Sequence, residues 1–214
     1  MIGTSETLQV NPGAAAEDLA FLRSVLHERA KLWRRGGILY AAAGLLYGVE
    51  TLVGVVDLLT PIPVPSIANV IAAVVASGGF VVVMIYVLVK GRREMKQKGV
   101  ASRAINAAFA GIGAANAVAA IVFAVAAIRA QDMMLWLLFP VVAAAFQGAA
   151  WFAVAGVARR MWMRLVSLGW FAAALGAGLS LPSIASYLVV LTIALFALMV
   201  APGLAMMRMG EDEA

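Results

Sequence analysis

The sequence predicts an all-α integral membrane protein, a bundle of six membrane-spanning helices preceded by a cytoplasmic amphipathic helix. Of its 214 residues, 64% are hydrophobic and 13% are charged, whereas soluble domains have about 45–50% apolar and about 25% charged residues. The apolar residues form six long runs. Each run is long enough to cross a hydrocarbon core of about 30 Å once tilt and thinning are allowed. The basic residues gather in alternate connections between these runs.

The first 35 residues divide into an arm and a helix. Residues 1–15 are small and polar with an Asn-Pro-Gly turn, which predicts a flexible N-terminal arm. Residues 16–35 carry apolar side chains at helical spacing, which predicts an amphipathic helix along the cytoplasmic face of the membrane. Gly36-Gly37 then allow a bend before the first span. No signal-peptide segment precedes this helix, so we expect the N-terminus to be retained. The candidate interaction residues of the helix are Leu22, Leu26 and Trp33.

The six apolar runs are the predicted spans. They cover residues 36–60, 66–89, 104–128, 133–157, 165–181 and 184–205. The transmembrane domain therefore extends over residues 36–208, and residues 209–214 form an acidic C-terminal tail. The connections are too short for a soluble domain. The order of the spans predicts three successive hairpins, and a division into two inverted three-span halves, a plan known from transporters, stays open.

The basic residues predict the orientation. Of the 16 Lys and Arg residues, only Arg129 lies in a loop on the opposite side from the others. The positive-inside rule then places both termini in the cytoplasm of a multi-pass inner (plasma) membrane protein. The net charge of +5 is explained by the basic residues that gather on the cytoplasmic side. We therefore expect the partners to be the lipid bilayer and anionic lipid headgroups at the basic loops. We expect no nucleic acid.

Two carboxylates interrupt the first span. Glu50 and Asp57 are seven residues apart, so they share a helix face, together with Tyr40 and Tyr47. An ionisable group facing lipid costs at least ~2.5–3.5 kcal/mol at mid-bilayer, so this face must meet other helices or a cavity. Counted from residue 36 at ~1.5 Å per residue, Glu50 lies ~21 Å into the span and Asp57 ~31 Å. We therefore expect Asp57 to be solvated, and Glu50 to be paired, hydrogen-bonded or protonated.

Asn116 and Gln147 complete the candidate intramembrane polar site. Asn116 lies ~18 Å into span three, nearly level with Glu50. We expect these two side chains to form a hydrogen-bonded clamp that fixes helix packing. A proton-linked or ligand-linked role for Glu50 is the alternative. Gln147 lies at a similar distance into span four as Glu50 does into span one.

The spans lack the residue types of common catalytic and metal sites. The chain has no cysteine, and its single histidine, His27, precedes the spans, so we expect no metal, haem or other cofactor. The Glu50 and Asp57 positions are ~10.5 Å apart along the helix axis, too far for two carboxyls to share a proton. The spans also lack a G-x-S-x-G elbow for a serine nucleophile. We therefore expect the protein not to be an enzyme.

Three non-enzymatic functions are compatible with these features. The first is a regulatory, sensing or signalling protein whose helix 16–35 contacts a cytoplasmic protein partner or a second copy of the chain. The second is a small transporter or channel with Glu50 as its intramembrane proton or substrate site. The third is an assembly subunit of a larger complex. Because polar residues are scarce in the spans and the outer loops are short, we favour the first.

Overall fold

The computed structural model describes the backbone of residues 12–92 and 100–212, and the side chains of residues 30–90, 103 and 107–209. The described backbone consists of helices and short connections. Six helices in this part of the chain are long and apolar enough to cross a membrane. This confirms the prediction of six long apolar helices, and their length and composition are compatible with a multi-pass membrane protein.

The helices follow one another through short connections. In chain order they are α1 (Pro12–Leu59), α2 (Ser66–Arg92), α3 (Val100–Ala130), α4 (Met134–Ala158), α5 (Met161–Ser180), α6 (Ile184–Leu195), a π-helix (Phe196–Val200) and α7 (Ala201–Asp212). The last three segments follow each other without a gap, and we call them together the C-terminal helix. Ser183 begins it as an extended N-cap residue whose side chain accepts a hydrogen bond from the Ser186 N–H.

α1 is one uninterrupted helix of 48 residues. It continues through Gly36-Gly37, where the sequence allowed a bend. These glycines instead permit a close approach of α7, because a Cβ on Gly37 would lie 2.6 Å from the carbonyl oxygen of Gly203. At 1.5 Å per residue α1 is ~72 Å long, more than twice a hydrocarbon core of about 30 Å. Its N-terminal part, residues 12–29, precedes the candidate span Ala30–Leu59.

The helices that are joined by the short loops 60–65, 131–133 and 181–183 pack against each other, in the manner of the predicted hairpins. In addition, α1 packs along the C-terminal helix and α4 packs on α5. In the order of these contacts the helices form a row of α2, α1, C-terminal helix, α5, α4 and α3, and the row is bent so that Tyr40 of α1 also reaches α4 and α5. α2 and α3 stand at the two ends of this row, where α2 packs on α1 and α3 packs on α4.

Small residues bring α1 and the C-terminal helix together. A Cβ on Gly203 would lie 2.5 Å from the backbone nitrogen of Ala41, and one on Gly44 would lie 2.8 Å from that of Val200. Backbone approach of this kind is the small-residue packing mode of membrane helices. A hydrogen bond of 2.9 Å from the Thr192 hydroxyl to the Thr51 hydroxyl adds to this contact. We call this contact the glycine seam; its small residues on α1 are Gly36, Gly37, Ala41, Gly44, Gly48 and Gly54.

The C-terminal helix is distorted beside Pro202. Proline has no N–H, so the carbonyl of Leu198, four residues earlier, loses its α-helical donor. The segment before the proline forms the π-helix. The indole Nε1–H of Trp170 on α5 donates to the Leu198 carbonyl at 3.2 Å. The carbonyl is therefore satisfied by a neighbouring helix, as backbone groups at membrane depth must be.

Candidate functional site

A hydrogen-bond network around Tyr40 joins α1, α4 and α5 inside the bundle. The Tyr40 hydroxyl accepts hydrogen bonds from Trp151 Nε1 at 2.6 Å and from Trp170 Nε1 at 2.8 Å. It donates one to Gln147 Oε1 at 3.4 Å. Tyr40, Trp151 and Trp170 are buried. We call these four residues the Tyr40 network, and one predicted site residue, Gln147, belongs to it.

The aromatic members of the Tyr40 network were missed as site residues by sequence reasoning. Tyr40 does lie on the predicted polar face of span one. A signal was available, because buried Tyr hydroxyls and Trp indoles usually find hydrogen-bond partners. Trp151 and Trp170 also lie inside their spans, whereas interfacial tryptophans lie near span ends. Internal Trp and Tyr residues on different spans therefore indicate a polar contact between helices.

Glu50 and Asp57 lie on the face of α1 that meets α2. Asn69 Nδ2 of α2 donates to Asp57 Oδ2 at 3.0 Å, and Asp57 is exposed. The Tyr47 ring packs against the Phe80 ring of α2 with centroids 5.9 Å apart. Glu50 lies between Tyr47 and Asp57 on this face and is partly buried. We call this contact, formed by Tyr47, Glu50, Asp57, Asn69 and Phe80, the α1–α2 seam.

No hydrogen bond joins Glu50 to Asn116 among the described residues. Asn116 is on α3, which packs on α4, and it shares a helix face with Phe109, whose ring meets the Trp151 ring of α4. The buried Asn116 Oδ1 accepts no hydrogen bond in the described part of the chain. Glu50 faces α2 instead. Equal depth in the membrane did not make these two residues neighbours, because depth does not determine which helices pack together.

The predicted interaction residues divide between two environments. Leu22 and Leu26 belong to residues 12–29 of α1, whose side chains lie outside the described residues, so their role stays a prediction. Trp33 is 3% exposed and belongs to the same core cluster as Tyr40, Trp151 and Met206. Its burial removes Trp33 from the surface that a partner could contact.

Among the side chains described above, Glu50 is the one whose partly buried carboxyl can bind a proton or a cation. Residues of the Tyr40 network satisfy one another, whereas Glu50 makes no hydrogen bond or ion pair with any other described residue. A partly buried carboxyl can exchange a proton or attract a cation. Among the described residues, no three His, Cys, Asp or Glu side chains come together as a metal site requires. Comparison of the chain with protein-family models, curated proteins and solved structures gave no match.

Proposed function

We propose that the protein is a non-enzymatic regulator or sensor of the inner membrane, in which α1 couples the α1–α2 seam to residues 12–29. One observation carries this proposal: Glu50 and residues 12–29 lie on a single uninterrupted helix. A rigid helix transmits a displacement or rotation along its length. The positive-inside rule assigns residues 12–29 to the cytoplasmic side. There the segment contacts a protein partner through the apolar side chains Leu22 and Leu26.

The two contacts of α1 support a mechanism. A change of charge at Glu50, by protonation or by a bound cation, alters the packing of α1 on α2. The Tyr40 network holds α1 to α4 and α5 nearly three turns from Glu50, because Tyr40 is ten residues earlier and each turn has 3.6 residues. It provides the fixed point about which α1 tilts. Movement at the α1–α2 seam then becomes movement of the cytoplasmic segment.

The test is a distance measurement in full-length protein in lipid nanodiscs. The chain contains no cysteine, so Ser24→Cys and Leu204→Cys introduce the sole attachment sites for two spin labels. Leu204 is an exposed residue of α7. We expect Glu50→Gln, which imitates the neutral acid, to shift the distance between the labels by about 1–2 Å or more, the scale of helix shifts in regulated proteins. Acidification shifts it in the wild type and not in Glu50→Gln.

The matched control is Asp132→Asn, which removes one negative charge from the exposed 131–133 loop. It retains a side-chain oxygen for the hydrogen bond that Asp132 accepts from the Met134 N–H. We expect this variant to match the wild type at every pH. A distance that is the same in wild type, Glu50→Gln and Asp132→Asn would rule out coupling through α1.

A small transporter or channel is the second candidate, and the lack of a hydrogen bond at Glu50 among the described residues favours it. Proteoliposomes that contain a pH-sensitive dye measure proton flux directly. This candidate predicts a flux that is lost in Glu50→Gln and kept in Asp132→Asn. It also predicts that deletion of residues 1–29 leaves the flux intact, whereas the regulator requires this segment. The deletion therefore separates the two functions.

A further inference from the structure

Trp170 of α5 holds its indole proton between two acceptors on different helices. Its Nε1 lies 2.8 Å from the Tyr40 hydroxyl oxygen of α1 and 3.2 Å from the Leu198 carbonyl oxygen of the C-terminal helix. An indole has a single N–H, so the two oxygens share one proton. The bond to Tyr40 is the shorter and therefore the stronger of the two. Trp170 thus connects α1 with the C-terminal helix.

The Leu198 carbonyl is available to the indole because its own helix lacks the usual donor. Pro202, four residues later, has no N–H, and the turn that contains Leu198 is a π-helix. Single π turns inside α-helices occur frequently at functional sites. Gly169, next to Trp170, lets this turn approach α5, because a Cβ on Gly169 would lie 2.6 Å from Leu198 Cδ2. The second acceptor therefore follows from the packing of α5 on the C-terminal helix.

Trp151 of α4 differs from Trp170 in this respect. Its Nε1 donates to the Tyr40 hydroxyl at 2.6 Å, and it has no second acceptor among the described residues. Both indoles are buried, so water cannot replace a lost partner. Separation of Tyr40 from Trp151 would leave a buried N–H unsatisfied, which is costly. Separation of Tyr40 from Trp170 would not, because the Leu198 carbonyl still accepts the proton.

We propose that the hydrogen bond between Tyr40 and Trp170 is a latch that opens and closes, whereas the bond between Tyr40 and Trp151 stays closed. In the open state the indole proton of Trp170 is bonded to the Leu198 carbonyl alone. α1 then stays attached to α4 and turns relative to α5. A displacement of about 1–2 Å, the scale of helix shifts in regulated proteins, lengthens the 2.8 Å contact beyond hydrogen-bond range.

The latch keeps the two buried indoles satisfied in both of its states. It also makes the Leu198 carbonyl respond to the position of α1, because this carbonyl receives more of the indole proton when Tyr40 moves away. The latch concerns contacts inside the bundle and does not depend on the regulatory function of α1. It would serve a transporter equally well.

The test is a nuclear magnetic resonance measurement on the full-length protein in lipid nanodiscs. Leu198 followed by Met199 is the one Leu-Met pair of the sequence. A sample with ¹³C-carbonyl leucine and ¹⁵N-methionine therefore gives a single cross-peak in an HNCO spectrum. A stronger hydrogen bond to the Leu198 carbonyl moves its ¹³C resonance downfield. The one Leu-Ser pair, Leu179 and Ser180, gives a reference signal from the exposed end of α5 in a second sample with ¹⁵N-serine.

Tyr40→Phe opens the latch by removing the hydroxyl. We expect the Leu198 resonance to move downfield, because the carbonyl then receives the whole indole proton. Thr192→Val is the matched control. It removes another hydrogen bond between α1 and the C-terminal helix, of 2.9 Å, and leaves both acceptors of Trp170 in place. We expect it to leave the Leu198 resonance unchanged, and we expect the reference signal to stay unchanged in every variant.

Trp170→Phe removes the shared donor and tests the same bond without a change at Tyr40. We expect the Leu198 resonance to move upfield, because the carbonyl loses the indole proton. Trp170→Phe provides the answer where Tyr40→Phe does not fold, as judged by gel filtration and circular dichroism, and Tyr40→Phe provides it in the reverse case.

Shifts of opposite sign in Tyr40→Phe and Trp170→Phe, with none in Thr192→Val, support the latch. An unchanged or upfield Leu198 resonance in Tyr40→Phe would overturn it, because the indole proton then does not move to the carbonyl. An unchanged resonance in Trp170→Phe would show that the indole does not bond the carbonyl. A downfield shift in Thr192→Val as large as that in Tyr40→Phe would indicate general loosening of α1 and no latch. None of these results affects the distance experiment on Glu50.

Discussion

The two sides of the bundle are held together in different ways. On one side, which we call the packed side, α1, α4, α5 and the C-terminal helix share the glycine seam and the Tyr40 network. On the other, which we call the open side, α2 packs on α1 and α3 packs on α4. In the apolar stretch of α5, 39% of the residues are buried inside the protein, whereas in the apolar stretch of α3 only 6% are buried. Packing therefore decreases steeply from the centre of the row to its ends.

The predicted polar site divides between these two sides. Gln147 belongs to the packed side, where its partner Tyr40 is also bonded to two indoles. Glu50 and Asp57 face α2, and Asn116 is on α3, so all three belong to the open side. A satisfied buried network resists change, whereas groups in weakly packed regions alter their contacts at lower cost. We therefore expect the packed side to provide the stability of the bundle, and the open side to be where contacts change.

Gly203→Ala should have the largest effect on stability. Its Cβ would lie 2.5 Å from the Ala41 nitrogen and 2.9 Å from the Ala41 Cα, and backbone atoms cannot rotate away. We expect a loss of about 3 kcal/mol in the free energy of unfolding, the upper end for overpacking. Unfolding in sodium dodecyl sulfate, followed by tryptophan fluorescence, measures it.

Gly111→Ala on α3 is the matched control, because a Cβ on Gly111 meets nothing within 4 Å. We expect it to change the free energy of unfolding by less than about 0.5 kcal/mol. Equal losses in Gly203→Ala and Gly111→Ala would break the contrast between the two sides.

Tyr40→Phe should have the second largest effect. It removes the hydroxyl that accepts two indole hydrogen bonds. Trp170 keeps the Leu198 carbonyl as an acceptor, whereas Trp151 loses its partner. We expect a loss of about 2 kcal/mol in the free energy of unfolding, within the range for a buried unsatisfied group. Near-ultraviolet circular dichroism records the tryptophan environments in the same samples.

The same change on the open side is Tyr86→Phe, which removes an exposed hydroxyl on α2. We expect this control to alter the free energy of unfolding by less than about 0.5 kcal/mol. A loss for Tyr86→Phe as large as that for Tyr40→Phe would contradict the special position of the Tyr40 network.

Thr192→Val should have a smaller effect within the packed side. It removes the 2.9 Å hydrogen bond to the Thr51 hydroxyl across the glycine seam. Interhelical hydrogen bonds in membrane proteins average about 0.6 kcal/mol, and we expect a coupling energy of that size. A double-mutant cycle with Thr51→Val isolates it. A coupling energy of zero would leave close helix approach as the source of stability in the seam.

Asn116→Leu should have the smallest effect, and of opposite sign. Its buried Oδ1 has no hydrogen-bond partner among the described residues, so replacement by an apolar side chain removes an unsatisfied acceptor. We expect a gain of up to about 0.5 kcal/mol in the free energy of unfolding, because substitution of a buried polar group by an apolar one is near neutral or stabilising. A loss above about 1 kcal/mol would show that Asn116 has a partner in the membrane.

The number of long apolar helices could be predicted from the sequence, because hydrocarbon thickness sets the length of an apolar run. Helix rise converts position into depth and predicts Asp57 near the end of its span; in the structure Asp57 is exposed, two residues before α1 ends at Leu59. Rise and periodicity are properties of a single helix. They therefore determine which face Glu50 occupies and how deep it lies.

The choice of neighbouring helices could not be predicted in this way. Glu50 and Asn116 are predicted at nearly the same depth, but Glu50 faces α2 and Asn116 faces α4. The reason is that the glycines of α1 pack against the C-terminal helix, whereas α3 packs against α4. Gly36 and Gly37 are another example: a Gly-Gly pair predicts a bend, but in the structure these two residues allow close contact with α7. A tryptophan near a span end, such as Trp33, is equally ambiguous between membrane interface and core.

The glycine seam joins the first span of the chain to the last, and this has a consequence for biosynthesis. At ~5–20 residues per second, a ribosome needs about 8–30 s to proceed from the end of α1 to the end of α7. During this interval the glycine face of α1 has no permanent partner in the bilayer. The bundle closes only after the C-terminal helix has been synthesised, so a chain that stops before α6 exposes an unfinished surface to membrane quality control.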